Sequence, residues 1–368
     1  MDLCSEPVLK DLLSADQGHV RGLALQLLSE CYAADDEILP SIIAGWQRWG
    51  AEAAYPDFPM LSHIPIPRQM VGECCSLAHR MTNGYPLTAK QTRCGGKLIE
   101  HLVKLPARCL VEHEQVIEQI VASSKIFFRV DLKSLRQRVE FCELSGEDLA
   151  DHLDSSIATL AERSDDTATF RTGLNAMEAM RSHHPHMLDM DRALRSSAND
   201  TAHHFSFQIA LQSLIDLAEP NIESALAELL SSAQESVLAN TIEALVRCQT
   251  PHAGLALMDN FHLVPDANKQ WLARGLQRLR IPRMAAAIAE LRASVREPRL
   301  WLMLLIAEIR QLDIESCQSI AMDVDRIASY SEALANSLTL FNAVHAHRPE
   351  AAICTHAYER YLRRARSQ

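Results

Sequence analysis

The sequence predicts an all-α fold, an α-solenoid of antiparallel helix pairs stacked into a right-handed superhelix, and three observations predict it. Apolar residues recur every 31 positions between Ile222 and Leu340. Leu226, Leu257 and Ile288 form one column and Ala225, Ala256 and Ala287 the next. Ile242, Ala273, Leu304 and Ala335 form a third, and Leu245, Leu276, Ala307 and Leu338 a fourth. Glycine and proline are sparse, 12 and 15 in 368 residues, and aromatics are 5%, so strand-rich folds lack their turn punctuation. Pro220, Pro251, Pro282 and Pro349 each stand where a hairpin opens, and there a missing first-turn amide breaks no helical bond. A two-helix repeat cannot bury its apolar face alone, so such units stack on their neighbours.

The first helix is expected over 7–14, with Pro7 in its first turn. The second buries Val20, Leu23, Ala24, Leu27 and Leu28, spaced i, i+3, i+4, i+7, i+8. The Leu12-Leu13 pair, the polar turn with Asp16, Val20-Arg21, the small Ala24 and the Leu27-Leu28 pair together resemble a HEAT repeat. The resemblance implies that the first helix ends at the Leu pair, that Asp16 and Arg21 tie the inter-helix turn, and that Ala24 lets the two helices approach. A third helix over 37–49 carries Trp46 and Trp49 on one face, where they are expected to pack on a neighbouring helix.

Pro56, Pro59, Pro65 and Pro67 exclude a helix from 54–67, which reads as an irregular crossover. Helices are then expected over 68–80, 87–105, 106–123 and 125–141, the second bent or split at Gly95-Gly96. Ser145 to Asp148 and Ser164 to Asp166 cap the two helices of a hairpin over 147–182. Further hairpins follow over 187–218, 221–248, 251–279, 282–310 and 313–346, with a last helix over 349–366. Ser196 to Asp200 and Ser231 to Glu235 repeat one inter-helix turn 35 residues apart. In the second of these Glu235, Val237 and Leu238 occupy the Asp and Val-Arg positions, so the HEAT arginine is missing there. The chain thus reads as an N-terminal HEAT-like repeat (1–50), an irregular helical region (51–145) and a regular array (146–368).

The net charge of −11 argues against phosphate-backbone binding as the main task. The 10 cysteines are scattered at apolar positions with no CxxC pair, which reads as a reducing compartment. The first residues have no basic stretch followed by an apolar one, and the longest apolar run, Leu300 to Ala307, is far below the ~20 residues of a membrane helix. A soluble cytoplasmic protein is expected.

No arrangement of residues carries an enzyme's signature. His183, His184 and His186 precede Met187, and His203 and His204 stand at the far end of the next helix, too distant to share a metal. HEAT-like deoxyhypusine hydroxylases hold two irons with four His-Glu pairs, and His113-Glu114 is the single such pair here. Arg93-Cys94-Gly95-Gly96-Lys97 lacks the spacing and preceding strand of a phosphate loop. Arginines cluster at Arg274, Arg278, Arg280, Arg283, Arg292, Arg296 and Arg299, but Asp266, Glu290 and Glu297 are interspersed among them.

The expected function is a non-enzymatic protein-binding scaffold or adaptor that takes a protein or peptide partner on its concave face, without cofactor, metal or membrane. Its groove residues are expected on the repeated second helices, at Asn240, Glu243, Arg247, Lys269, Arg274, Arg278, Trp301 and Glu308. The alternatives are a nucleic-acid-binding or DNA-repair protein of HEAT-like fold, and a cofactor- or metal-handling enzyme on the same frame.

Overall fold

The computed structural model describes residues 5–55, 63–83, 88–123, 132–188, 204–217, 222–231 and 235–366. Among them every regular element is a helix. In chain order these are α1 (Ser5–Leu12), α2 (Gly18–Glu30), α3 (Ile38–Ala53), α4 (Val71–Asn83), α5 (Ala89–Leu102), α6 (Ala107–Leu110), α7 (Glu114–Ser123), α8 (Leu132–Phe141), α9 (Gly146–Glu162) and α10 (Thr167–His183). Then come α11 (His204–Leu217), α12 (Glu223–Leu229), α13 (Glu235–Cys248), α14 (Pro251–Asp259), α15 (Asp266–Arg278), α16 (Ala285–Ser294), α17 (Pro298–Arg310), α18 (Cys317–Val324), α19 (Glu332–Val344) and α20 (Ala352–Arg366). No described helix is long and apolar enough to cross a membrane.

The boundaries follow from local chemistry. Thr88 and Gln91 form a reciprocal capping box at α5, Ser145 caps α9 and Asp166 caps α10. Thr250 with Pro251 opens α14, and Glu297 with Pro298 opens α17. Helix α5 runs unbroken through Gly95-Gly96, against the expected bend. A Cβ at Gly95 would lie 2.8 Å from both Met81 Cβ and Thr82 Cγ2, so the glycine admits α4 at close range and is no hinge. The helix expected over 106–123 is interrupted between α6 and α7. Residues 56–62 of the proline-rich stretch, Phe127, Phe128, Val130, Ser196 to Asp200, Ser232 to Gln234 and His203 lie outside the described residues.

The chain divides into two compact units, Met1–Ile64 with Leu230–Glu235 and Leu245–Gln368, and Pro65–Leu229 with Ser236–Ala244. In the second, α4 packs on α5 and α7, and α10 on α8, α9 and α11. Arg138 on α8 donates to Val103 O and Leu105 O, both at 2.6 Å, and pairs with Glu178 of α10 at 2.8 Å. The guanidinium thereby covers carbonyls that the end of α5 leaves unpaired.

In the first unit three of the periodic columns are interior, for Leu257, Ile288, Ala273, Leu304, Ala335, Leu276, Ala307 and Leu338 are all buried, whereas Ala256 and Ala287 of the remaining column are only half-buried. Helix α15 packs on α17, and α17 on α19. Side chains stitch the ends of these helices across a repeat. Gln249 Nε2 donates to Arg278 O at 3.0 Å while Arg280 N donates to Gln249 Oε1 at 3.0 Å. Gln311 Nε2 donates to Leu279 O at 2.7 Å and Ile281 N donates to Gln311 Oε1 at 2.8 Å. His345 Nε2 bonds Leu312 O at 2.9 Å. Each amide side chain supplies both groups that a neighbouring backbone strand segment would supply, so the turns between repeats leave few polar groups unmet.

The first two helices belong to this same unit, for α1 and α2 pack on each other and on α19. Arg21, 2% exposed, donates to the carbonyls of Ala15 at 2.6 Å and Asp16 at 2.9 Å, and to those of Ala53 at 2.6 Å and Ala54 at 2.7 Å. The inter-helix turn is therefore tied by Arg21 through backbone oxygens. The exposed Asp16 carboxylate lies 3.8 Å from Arg48. Trp46 is buried, and the guanidinium of Arg21 lies 3.9 Å from the Trp49 ring centre.

Candidate interaction site: an arginine column at the helix ends

Helices α13, α15 and α17 end alike. Arg247, Arg278 and Arg310 each stand three residues before the residue that opens the next hairpin, Thr250, Ile281 and Asp313. The steps between them are 31 and 32 residues. Repeat geometry thus places three guanidiniums in a row within the first unit. His345 holds the same place at the end of α19, but it is buried and turned to Leu312.

The row grips the end of α2. Arg310 Nη1 lies 2.5 Å from the Glu30 carboxylate, with both side chains largely shielded from solvent. Arg278 Nε donates to Glu30 O at 3.2 Å, and its Nη2 donates to the Tyr32 hydroxyl at 3.1 Å. The guanidiniums of Arg247 and Arg278 lie 4.7 and 5.3 Å from the Tyr32 ring centre, and His63 stacks on the same ring at 4.4 Å. Tyr32 itself has φ of +49°, a left-handed conformation uncommon for a bulky residue. Between the two anchors, burial pushes the Cys31 thiol up to about 12, only partly opposed by the nearby Arg280, Arg310 and Arg278 charges, so it stays protonated. Planar forks on carboxylate and carbonyl, with cations against an aromatic ring, are directional, charge-assisted contacts.

Of the residues expected in the groove, Arg247 and Arg278 come together here. Arg310 was not among them, although the 31-residue register of Arg247 and Arg278 points to it within one position. Asn240 and Glu243 are half-buried on α13, in the second unit. Lys269 pairs with Asp266 at 2.6 Å and borders a cavity of about 510 Å³ shared with Phe261, Gln270, Arg296 and Arg299. The exposed Arg274 lies over the Trp271 ring at 5.3 Å. Trp301 is half-buried beneath Arg292, whose guanidinium is 5.1 Å from its ring centre.

Glu308 does not face a groove. It is 1% exposed and accepts from Arg292 Nε at 3.1 Å and Nη2 at 2.8 Å, while Arg292 Nη1 reaches Asp323 at 2.5 Å. The reason is charge balance: Arg292 is itself buried and needs an anion beside it. Burial pushes the Glu308 carboxyl up, with the Arg292 charge and hydrogen bonds opposing. Among the described residues no three His, Cys, Asp or Glu side chains gather as a metal site, and His184 instead contacts Leu144 O at 3.2 Å.

Helices on helices, with a polar row at their ends, define the class of the molecule as an all-helical protein with repeated helix ends. No family model matches the chain, and no curated protein does. The crystal structure of an engineered protein from a structural genomics consortium is similar over 98% of both chains, at 11% identity and a TM-score of 0.36, a likeness too slight to carry an argument.

Proposed function

We propose that the chain is a non-enzymatic scaffold of HEAT type, built as a right-handed solenoid, that binds a protein or peptide partner. The observation that carries this reading is the arginine column, three guanidiniums at repeat spacing that hold a carboxylate, a carbonyl and a tyrosine ring of a chain segment more than 200 residues away. A repeat array gains specificity from side chains displayed at one register on successive units, and that is how these arginines are placed. The three buried 31-residue columns and the packing of α15 on α17 and α17 on α19 support the solenoid arrangement. The test is affinity purification of the tagged full chain from its own cells, with quantitative mass spectrometry. A stoichiometric, reproducible protein partner is expected, and recovery of nothing above the tag-only control rejects the scaffold.

A further inference from the structure

We infer that the arginine column is a docking site for an acidic, aromatic peptide segment, one that presents a carboxylate two residues before a tyrosine, and that the end of α2 fills this site in cis until such a segment displaces it. The inference rests on the scaffold reading and supplies its ligand class.

The occupant defines the chemistry. Glu30 offers both its carboxylate, to Arg310, and its main-chain carbonyl, to Arg278. Tyr32 offers its hydroxyl to Arg278 and its ring to Arg247, Arg278 and His63. The ring lies among cations and an imidazole, a slot that favours an electron-rich aromatic over an aliphatic side chain. Recognition of main chain and side chain together is what peptide grooves provide.

The occupant is also held at a cost. Tyr32 keeps φ at +49°, a left-handed turn unfavourable for a non-glycine residue and shared with Gln249 and Leu312 past the ends of α13 and α17. A segment in trans that reaches the slot without that turn binds without that strain. Only the stretch from Glu30 to Ala33 needs to leave, which uncovers the buried Cys31 and Ala33. Leu9, Leu13, Leu27 and Leu28 are all buried and hold the α1–α2 hairpin in place, while Lys10 ties the following turn to Asp35 at 2.8 Å. Displacement is therefore a local exchange of one anchor for another, with the hairpin left docked.

The probe is a fluorescein-labelled peptide of residues 26–37 carrying Cys31→Ser, titrated by fluorescence anisotropy into the full-length chain. Tyr32→Ala in the full chain, which empties the ring slot and leaves Glu30 as the only cis anchor, is expected to bind it roughly tenfold tighter or more than wild type, because the ring slot is no longer occupied in cis. Adding Arg278→Ala and Arg310→Ala removes that gain. Equal binding by wild type and Tyr32→Ala, or no binding by either, overturns the inference. Should Tyr32→Ala not fold, hydrogen exchange on the wild type decides: millimolar unlabelled peptide is expected to speed exchange at residues 30–33, and unchanged exchange overturns the site. A partner recovered by affinity purification whose yield ignores Arg278→Ala/Arg310→Ala leaves the scaffold standing and removes this site from it.

Discussion

The two units are made from the same material, amphipathic helices rich in leucine and alanine, and they fasten it differently. In the second unit helices touch where a side chain is missing. Gly95 lets α5 reach α4, and a Cβ at Gly173 would lie 2.7 Å from Ile209 Cδ1, so α10 meets α11 at similarly short range. In the first unit, where a Cβ at Gly254 would likewise meet Met284 at 2.3 Å, polar links recur at successive helix ends, through Gln249, Gln311, His345 and the arginine column, as Arg138 links α8 to the end of α5 in the second. Close approach depends on volume and is unforgiving of one methyl group. End stitching depends on satisfied hydrogen bonds, and it tolerates variable helix lengths because the side chain reaches for its partner.

That contrast can be broken experimentally. The largest effect is expected inside the first unit, at the buried Arg292. Arg292→Met strands the Glu308 carboxylate, leaves Asp323 with Arg326 alone and should destabilise that unit by about 3–5 kcal/mol, with Glu308→Gln recovering part of the loss. Hydrogen exchange resolved by segment checks it, since helices α16 to α18 should lose protection while α4 and α5 keep theirs. Gly95→Ala tests the second unit. The clash with Met81 and Thr82, partly offset by the better helix propensity of alanine, should cost about 1–2 kcal/mol and lower protection in α4 and α5 only. An unchanged melt would show that α4 and α5 separate freely.

Gln311→Leu removes the stitch from α17 to the end of α15 and leaves Leu279 O and Ile281 N unmatched. A loss of about 1–3 kcal/mol is expected by urea unfolding, confined to the first unit. The smallest effect concerns pH. Burial lowers the His345 pKa below its ordinary 6.5, with the bond to Leu312 O opposing. The unfolded chain then binds more protons than the folded one, so stability is full above about pH 6.5 and falls as acid is added. His345→Gln, which keeps a donor toward Leu312 O, should flatten the slope of melting temperature between pH 5 and 7. A slope equal to wild type would assign the acid sensitivity elsewhere.

Much of the helical layout was legible, because apolar periodicity and caps are local signals. Three of the four 31-residue columns are interior, and Ser145 and Asp166 start helices where hydrogen-bonding side chains precede apolar runs. What failed was whatever depends on a distant partner. Gly95-Gly96 looked like a break because glycine weakens an isolated helix, and its use becomes visible only once Met81 and Thr82 lie against it. Glu308 looked like a surface acid because nothing local marks it as the counter-ion of Arg292. Arg310 sits one position off the strict register of Arg247 and Arg278, so it escaped a count by 31. The grip of these arginines on Glu30 and Tyr32 joins the two ends of the sequence, and no window along the chain contains it.

That separation has a meaning in time. Glu30 and Arg310 are 280 residues apart in the chain. At translation rates of 5–20 residues per second, roughly 14–56 s pass between the synthesis of the glutamate and that of its arginine. For that interval the first hairpin waits on the ribosome without α19, the helix it packs against, while the whole second unit is made and can fold. The α1–α2 hairpin can therefore dock on α19 only after Glu332–Val344 has been made, well after its own synthesis.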